Sequence, residues 1–380
     1  MRLRALVPTV ALLFAACEVE PELHLFESQP LVSRLIFADI ELDTYWDYET
    51  AIGVKYDWRT EWYYGWDDED RRIWGDIGYT LPGAFNIRRY FTGSEPYAPH
   101  TRVVANTIEG NTFQGEFTYG FWDMLVFNDI KLIDGVQSLN FDETSTLDSV
   151  TVYTNESMVR ARYYSKRYNH SFYEPEELFS GYEQAIDINR EHTGFEYDAE
   201  RNVYVKHLNM VLRPVTYIYL TQVIVHNNNG KIVGVEGTGN LSGFARSATL
   251  NSGRSGDDPV SVTHHTRWKR NCIKDGELVD IAGGRMLTFG IPGNRCSHLH
   301  NATEVRDKEP HYMDLKMLFN NGLDSTFVFD VTQQVRERYK GGVLTVEIDM
   351  DTIPMPRRSG GSAFDAIVLD FEEETHEFEM

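Results

Sequence analysis

The stretch VTYIYLTQVIVHNNNGKIVGVEG, residues 215–237, contains the clearest structural signal in the sequence. Its first half is a run of β-branched and aromatic residues, the types that favour β-strands. The run ends at Asn228-Asn229-Gly230, and a second short apolar run follows over Lys231–Glu236. Asn-Gly supplies the positive-φ residues that a tight hairpin turn requires. The stretch therefore predicts a β-hairpin, with one strand on each side of the turn.

The same two-residue period recurs outward from this stretch along most of the chain. It predicts further strands in the segments RLIFADIELD, SVTVYT, NVYVKHLNMVL, STFVFDV, LTVEIDM and FDAIVLDF. Helix signals are short and are confined to PEELFSGYEQAI (residues 175–186) and VTQQVRERYK (331–340). Many short strands with Gly, Asn and Asp turns are typical of antiparallel sandwiches. We therefore predict an all-β protein with a few short helices.

The length of the chain favours two domains. Strand alternation lapses around YNHSFYEPEELFSG, where Pro175 interrupts the pattern. We place the boundary there, which predicts an N-terminal β-sandwich over residues 30–172. A C-terminal β-sandwich with an acidic tail would then occupy residues 173–380.

The charge balance excludes one class of partner. The 380 residues include 58 Asp and Glu against 36 Lys and Arg, a formal net charge of −22. Nucleic-acid phosphates require basic partners, so this composition argues against nucleic-acid binding. An acidic, mutually repelling surface instead suits a solvated protein outside the cell.

The first residues read as an export signal. Arg2 and Arg4 precede an apolar run that is too short to span a bilayer and ends in Ala15-Ala16. Phe14-Ala15-Ala16-Cys17 resembles a bacterial lipobox, which implies cleavage after residue 16 and lipid on Cys17. We therefore expect a lipoprotein signal peptide over residues 1–16 and a lipidated tether over 17–29. The alternative is that Cys17 is part of the folded domain.

Two other cysteines, Cys272 and Cys296, could form a disulfide in an oxidising compartment. A metal site is the competing interpretation, because Cys296, His298 and His300 alternate along one segment and His264 and His265 could complete the site. The usual CxxC and HxxxH zinc spacings are absent, so we predict no metal. The sequence leaves open whether the two cysteines are bridged.

No catalytic signature is recognisable in the chain. Gly-x-Ser-x-Gly, a Walker loop and HExxH are all missing, and nothing selects one carboxylate pair from the many acidic residues. The glycines of GTGNLSG (237–243) have the wrong spacing for a dinucleotide loop. We therefore predict no enzymatic activity and no cofactor.

The densest aromatic segment is TYWDYETAIGVKYDWRTEWYYGWDDEDRRIWG, residues 44–75. Trp and Tyr dominate binding hot spots, so Trp58, Trp62 and Trp66 could form a platform for sugar rings or for a partner protein. The alternative is that most of these rings are core residues. Trp66, beside Asp67-Asp68, is the best candidate for an exposed ring.

Three segments carry a family resemblance: GEFTYGFWDMLVFND, PEELFSGYEQAIDI and MVLRPVTYIYLTQVIV followed by GKIVGVEGTGNLSGFARSATLNSG. Their order and spacing resemble the Bacteroidales fimbrillin-type lipoproteins of type V pili. The similarity is closest to the minor-fimbria anchor proteins and a related uncharacterised lipoprotein family. It implies two tandem transthyretin-like β-sandwich domains behind a lipidated N-terminus.

The resemblance also implies a mode of assembly, in which a terminal strand of one subunit completes a sheet of its neighbour. Sheet-edge addition of this kind takes affinity from main-chain hydrogen bonds and specificity from alternate side-chain pockets. The matching element would be Ala363–Phe371. Its candidate partner-strand residues are Phe364, Ala366, Ile367, Val368 and Leu369. The alternative is an ordinary strand of its own domain.

Two functions follow as hypotheses. The first is an outer-membrane lipoprotein that anchors a fimbrillin-type pilus or serves as its accessory subunit, with pilus subunits as protein partners. The second is a surface lipoprotein that binds glycans through the aromatic segment. Glu18, Glu20 and Glu22 resemble the acidic tag of surface-exposed lipoproteins, so we expect the protein to face the cell surface.

Overall fold

The computed structural model describes residues 33–42, 57–130, 138–142, 150–157, 170–293, 308–357 and 367–368. Its helices are a 3₁₀ turn at Trp58–Thr60, α1 at Asp68–Trp74 and α2 at Thr332–Glu337. The strands are β1 Ser33–Leu42, β2 Ala84–Gly93, β3 Arg102–Glu109, β4 Thr112–Glu116, β5 Gly120–Asn128, β6 Leu139–Asp142, β7 Thr151–Thr154, β8 Ser171–Tyr173, β9 Phe179–Ile188, β10 Glu196–Asp198, β11 Val203–Pro214, β12 Tyr217–His226, β13 Ile232–Ala245, β14 Ser247–Thr249, β15 Arg254–Ser255, β16 Pro259–His265, β17 Arg267–Lys274, β18 Glu277–Thr288, β19 Tyr312–Phe319, β20 Asp324–Asp330, β21 Gly342–Asp349 and β22 Ile367–Val368.

The predicted all-β fold of packed sheets with short helices is confirmed. Most described strand pairs are antiparallel. The parallel ones join β1 to β11, β12 to β21, β16 to β8 and β20 to β22.

The first sheet has the strand order β3-β2-β5-β9-β11-β1-β4, and β10 pairs with β11. Strands β9 and β11 belong to this sheet, because β9 pairs with β5 and with β11. Sheet membership changes between β8, which pairs with β16 in the six-stranded sheet, and β9, and it changes again near residue 215. The domain boundary expected at residue 173 stays a prediction. The alternation lapses around Pro175 because the chain passes there from β8 of one sheet to β9 of another.

The chain after residue 215, together with β8 and the two-residue strand β22, forms a sandwich of two sheets. The four-stranded sheet has the order β17-β18-β12-β21, and the six-stranded sheet has the order β22-β20-β19-β13-β16-β8. Their facing sides share one apolar core, which includes Tyr219, Val223, Phe244 and Phe327. These side chains are fully buried, so the core is closed.

A small sheet of order β15-β14-β7-β6 covers one face of the first sheet. Leu125 and Phe127 of β5 pack there against Val152 of β7, Ala248 of β14 and Phe289. Because β14 and Phe289 follow residue 215, the two halves of the chain contribute to one core.

The hairpin predicted at residues 215–237 is wrong in its pairing, although both strands and the turn are present. β12 pairs with β18 and β21, whereas β13 pairs with β16 and β19. The turn therefore carries the chain from one sheet to the other. Asn227, Asn229 and Gly230 adopt positive φ. Asn228 binds the backbone N–H and C=O of Ile232 with its side-chain amide, which fixes the crossing.

The helix predicted for PEELFSGYEQAI is also wrong, because Phe179–Ile188 is β9. Phe179, Ser180 and Gly181 are buried in a row, and β9 lies between β5 and β11. Tertiary pairing here overrides the local helical pattern. The helix predicted in VTQQVRERYK is present as α2. Within the described residues, no helix is long and apolar enough to cross a membrane.

Candidate partner-binding edge and the aromatic strap

Two residues of the predicted partner strand are described, and they lie at the edge of the six-stranded sheet. Ile367 and Val368 form β22 and pair in parallel with Phe327 and Val328 of β20. Phe364, Ala366 and Leu369 lie outside the described residues. Within the described chain, β22 thus pairs with two residues of the seven-residue strand β20.

The edge strand β20 is firmly part of the core on its other side. Phe327 and Phe329 are 0% and 1% exposed, and Ser325 is also buried. β20 pairs along its whole length with β19. An edge strand that is fixed on one side, and paired on the other at two positions within the described residues, is a template for strand addition.

Both edges of the four-stranded sheet carry features that disfavour the addition of another strand. At the β21 edge, the side-chain amide of Gln334 in α2 donates to the carbonyl of Thr345 at 2.8 Å and accepts from its N–H at 2.8 Å. This amide replaces a neighbouring strand at that point. At the opposite edge, β17 carries Arg267, Lys269 and Lys274 and has a bulge after Lys269. Charges and bulges discourage edge-to-edge pairing.

The aromatic segment lies across the outer face of the four-stranded sheet. We call residues 57–79 the strap. Trp58 and Trp62 pack against Ile218 and Leu220 of β12. Tyr64, 2% exposed, packs against Ile281 and its neighbours on β18. The strap thus buries an apolar sheet face that would otherwise meet solvent.

Gly283 makes room for the strap. A Cβ at this position would lie 2.6 Å from the ring of Tyr64, closer than side chains approach one another. The ring of Tyr64 therefore lies directly on the backbone of β18. The pair Gly283-Gly284 inside an otherwise apolar strand is a sequence signal for such a close approach, and the sequence-based predictions did not use it.

A cluster of charged groups fixes the middle of the strap. We call it the Asp70 cluster, and its members are Tyr64, Asp67, Asp70, Arg267 and Lys269. Asp70 is fully buried and accepts hydrogen bonds from Arg267, Lys269 and the Tyr64 hydroxyl. Asp67 and Asp70 also cap α1 reciprocally, each accepting the other's backbone N–H at 2.8–2.9 Å. Capping and ion pairing therefore act on the same two carboxylates.

The Asp70 cluster shifts the titration of its members. Burial, then the charge of Asp70, raises the pKa of the Tyr64 hydroxyl, which stays protonated and can donate to Asp70. Partial desolvation acts to raise the pKa of Asp67. Hydrogen bonds from Asp70 N–H, Arg267 and Lys269 outweigh it and hold that pKa well below its usual range. Both carboxylates form ion pairs with Arg267 and Lys269, so the negative charges of the cluster are matched by positive ones.

Arg285 of β18 fixes the end of the strap. It is 4% exposed and donates from Nε to Ile77 O at 3.2 Å and from Nη2 to Gly78 O at 3.1 Å. It also pairs with Glu177 at 2.5 Å. Nearer the start of the strap, the side-chain amide of Gln222 donates to Glu61 O and accepts from Tyr63 N–H.

The three predicted platform residues do not form a common exposed surface. Trp58 and Trp62 are half-buried against the four-stranded sheet. Trp66 is also half-buried; its ring lies 5.5 Å from that of Trp74, and its Nε1 donates to Gly75 O. These rings serve packing in the strap.

The cysteine predictions remain open. Cys272 is half-buried on β17 and has no disulfide partner among the described residues, and burial raises the pKa of its thiol. Cys296, its predicted partner, lies outside the described residues, as does Cys17. The bridge and the lipid attachment therefore stay predictions.

The histidines considered for a metal site are separated by burial. His264 is 2% exposed and burial lowers its pKa to about 3, whereas His265 is exposed. His298 and His300 lie outside the described residues. In the part of the chain that the structure describes, no group of three or more His, Cys, Asp or Glu side chains is arranged to hold a metal ion.

A buried carboxyl gives the six-stranded sheet a pH dependence. Asp314 of β19 is 4% exposed and accepts a hydrogen bond from Asn240 at 3.0 Å; burial raises its pKa to about 7. In the unfolded chain an Asp has a pKa near ~3.9. Between those values only the folded state keeps the proton, so this carboxyl lowers stability as the pH rises from about 4 to about 7.

Asp314→Asn is expected to remove that dependence. The variant should be more stable than the wild type by up to about 4 kcal/mol at pH 8, the linkage limit for a shift of about three pKa units, and nearly equal to it at pH 4. Urea unfolding of both proteins across this range measures the difference. A constant difference at all pH values would show that Asp314 does not titrate in this window.

Comparison with known proteins gives structural neighbours only. No protein-family model and no curated protein sequence matches the chain. A candidate adhesin from Bacteroides ovatus is similar at 14% identity and a TM-score of 0.47, over 91% of this chain and 95% of that one. A candidate adhesin from Bacteroides thetaiotaomicron has 10% identity and a TM-score of 0.47, over 85% and 94%.

The fimbrial anchor protein Mfa2 from Porphyromonas gingivalis has 11% identity and a TM-score of 0.40, over 83% of this chain and 90% of that one. These neighbours are adhesins and fimbrial proteins of Bacteroidales, the class that the sequence motifs resemble.

Proposed function

We propose that the protein is a structural subunit of a fimbria-associated surface assembly, an anchor or accessory protein that holds a partner subunit by β-strand addition. The observation that carries the proposal is the edge of β20. Its inward side chains are buried in the core, while its outer side is paired by β22 at Phe327 and Val328 within the described chain. This role needs neither an enzymatic activity nor a cofactor.

Within the described chain β22 pairs with only two residues of β20, and a pairing of this length could be replaced by a strand from a partner subunit. A strand added by a partner along β20 would gain main-chain hydrogen bonds at residues that β22 does not pair within the described chain. The terminal segment could equally leave β20 and add to a partner's sheet. Both routes use residues 363–371, so both predict that this segment is required for capture. Lipid on Cys17 would hold the assembly at the outer membrane.

The test is affinity purification from detergent-solubilised outer membrane, with the tag inserted in the exposed Gly110–Asn111 turn so that both termini stay native. Mass spectrometry then identifies the captured proteins. We compare the full chain with a deletion of residues 363–380 and with a matched deletion of only the acidic tail, residues 372–380. Circular dichroism checks that both deletions fold.

Pilus subunits captured by the full chain and by the tail deletion, but lost on removal of 363–380, are the expected result. Capture that survives the longer deletion would overturn the assignment of the terminal strand. Recovery of no pilus subunit, or only of polysaccharide-uptake proteins, would overturn the structural role. The latter result would favour the glycan-binding alternative, although the rings proposed for it pack in the strap.

A further inference from the structure

Several loops of the first sheet meet at one end. β2 ends where β5 begins, since Gly93 pairs with Phe121, and β5 begins where β9 ends, since Gly120 pairs with Ile188. The loops at 94–101, 117–119 and 189–195 therefore lie side by side. A Cβ on Gly120, whose φ is +122°, would lie 2.4 Å from Gly93 O, so the first two loops touch at their bases.

The chain enters the first sheet at this same end. β1 begins at Ser33, which pairs with Val203 at the start of β11. The β10–β11 turn, residues 199–202, directly precedes Val203. Whatever precedes β1 thus joins the fold beside these loops.

This end carries all the exposed aromatic side chains of the described residues. Tyr97, Tyr119 and Tyr197 are 72%, 42% and 53% exposed, and we call these three residues the tyrosine rim. Val103, near the start of β3, is 55% exposed at the same end. The other large exposed apolar side chains are aliphatic and lie elsewhere: Ile73, Leu81, Val233, Ile273, Leu278 and Leu318.

Backbone conformation and local contacts restrict the residues of the tyrosine rim. Tyr97 has φ +62°, a conformation that bulky residues rarely adopt. The base of its loop is fixed by His100, which binds Asp123 at 2.8 Å. The guanidinium of Arg190 lies over the ring of Tyr119 at 5.7 Å, and the hydroxyl of Tyr197 donates to Asn202 at 2.7 Å.

We propose that the tyrosine rim is a membrane-contacting surface that inserts its rings among lipid headgroups. The inference rests on the lipid-anchored role proposed above. Tyr combines an apolar ring with a polar tip and is enriched at membrane–water interfaces. A lipid on Cys17 would lie sixteen residues before Ser33. Such a tether spans at most about 55 Å, so it permits the contact without forcing it.

A weak contact is sufficient in this arrangement, because a tether converts it into an intramolecular event. Carboxylates outnumber guanidinium groups in the loops 94–101 and 189–202. The surface therefore fits zwitterionic headgroups, and anionic lipid should weaken the contact.

The test measures hydrogen exchange of the full-length lipoprotein in phosphatidylcholine vesicles against the unlipidated Cys17→Ser chain in buffer. Amides of loops 94–101 and 189–202 are expected to exchange about tenfold more slowly on the vesicles, roughly 1.4 kcal/mol of protection. The Tyr97→Ser/Tyr119→Ser/Tyr197→Ser variant should lose that protection. The matched variant Ile273→Ser/Leu278→Ser, which removes an exposed apolar pair elsewhere, should keep it.

Loops that exchange equally fast with and without vesicles would overturn the proposal. So would protection that appears with soluble polysaccharide and not with phosphatidylcholine. Adding phosphatidylglycerol should reduce the protection, and an increase would contradict the assigned chemistry. Partner capture through residues 363–380 should be unchanged in the tyrosine variant, so failure of this surface is distinguishable from failure of the structural role.

Discussion

Replacing Asp70 with alanine is expected to lower the free energy of unfolding by about 3–5 kcal/mol, because removing one member of a buried ion cluster leaves the others uncompensated. Arg267 and Lys269 would lose the buried carboxylate that they share and keep only the more exposed Asp67 between them. The Tyr64 hydroxyl would lose its acceptor, and Asp67 would lose its reciprocal cap. The ion pairs with Arg267 and Lys269 hold the strap on the sheet, and the other two contacts fix its local conformation.

Urea unfolding measures the loss, and hydrogen exchange of residues 57–79 locates it. The matched control is Asp68→Ala on the same helix, since the Asp68 side chain is 99% exposed and pairs with Arg71 at the surface. Exposed pairs of this kind contribute little, so the control should change stability by less than about 1 kcal/mol. An Asp70→Ala protein as stable as the control would show that the cluster does not hold the strap.

The second large effect is expected at Arg285. Arg285→Met keeps much of the side-chain volume and removes the charge, leaving Glu177 unpaired and the carbonyls of Ile77 and Gly78 without this donor. We expect a loss of about 3 kcal/mol, a little below that of Asp70 because Glu177 retains some exposure. Exchange should accelerate at the end of the strap more than at α1.

Arg71→Met is the control for Arg285→Met, because Arg71 is 58% exposed and makes one surface pair. The double variant Asp70→Ala/Arg285→Met distinguishes release of the strap as one unit from independent release of its two attachments. If the strap is released as one unit, the second substitution should cost less than it does alone. Additive losses would show that the two attachments act independently.

Sequence periodicity determined the elements of this protein well where burial follows local pattern. β11, β20 and β21 lie where their alternation predicted them, because a half-buried strand needs apolar residues at every second position. The Asn-Asn-Gly turn is likewise where its positive-φ residues predicted it.

The strap shows what the aromatic segment by itself could not decide. An aromatic run is compatible with a binding platform or with packing, and the choice depends on whether a complementary surface exists elsewhere in the fold. That surface is the outer face of β12 and β18, more than a hundred residues along the chain. Asp70 has two charged partners, Arg267 and Lys269, and both also lie more than a hundred residues further along the chain.

The tertiary structure alone decided which strands pair. β12 is buried on both faces, so its apolar run reads the same whether its neighbour is β13 across the turn or β18 and β21. The same is true of β9, whose helical pattern gives way to pairing with β5. Local sequence specifies which residues are buried and where the chain turns. The partner that buries them is chosen by long-range packing, because only the assembled sheets determine which edge and which face remain to be covered.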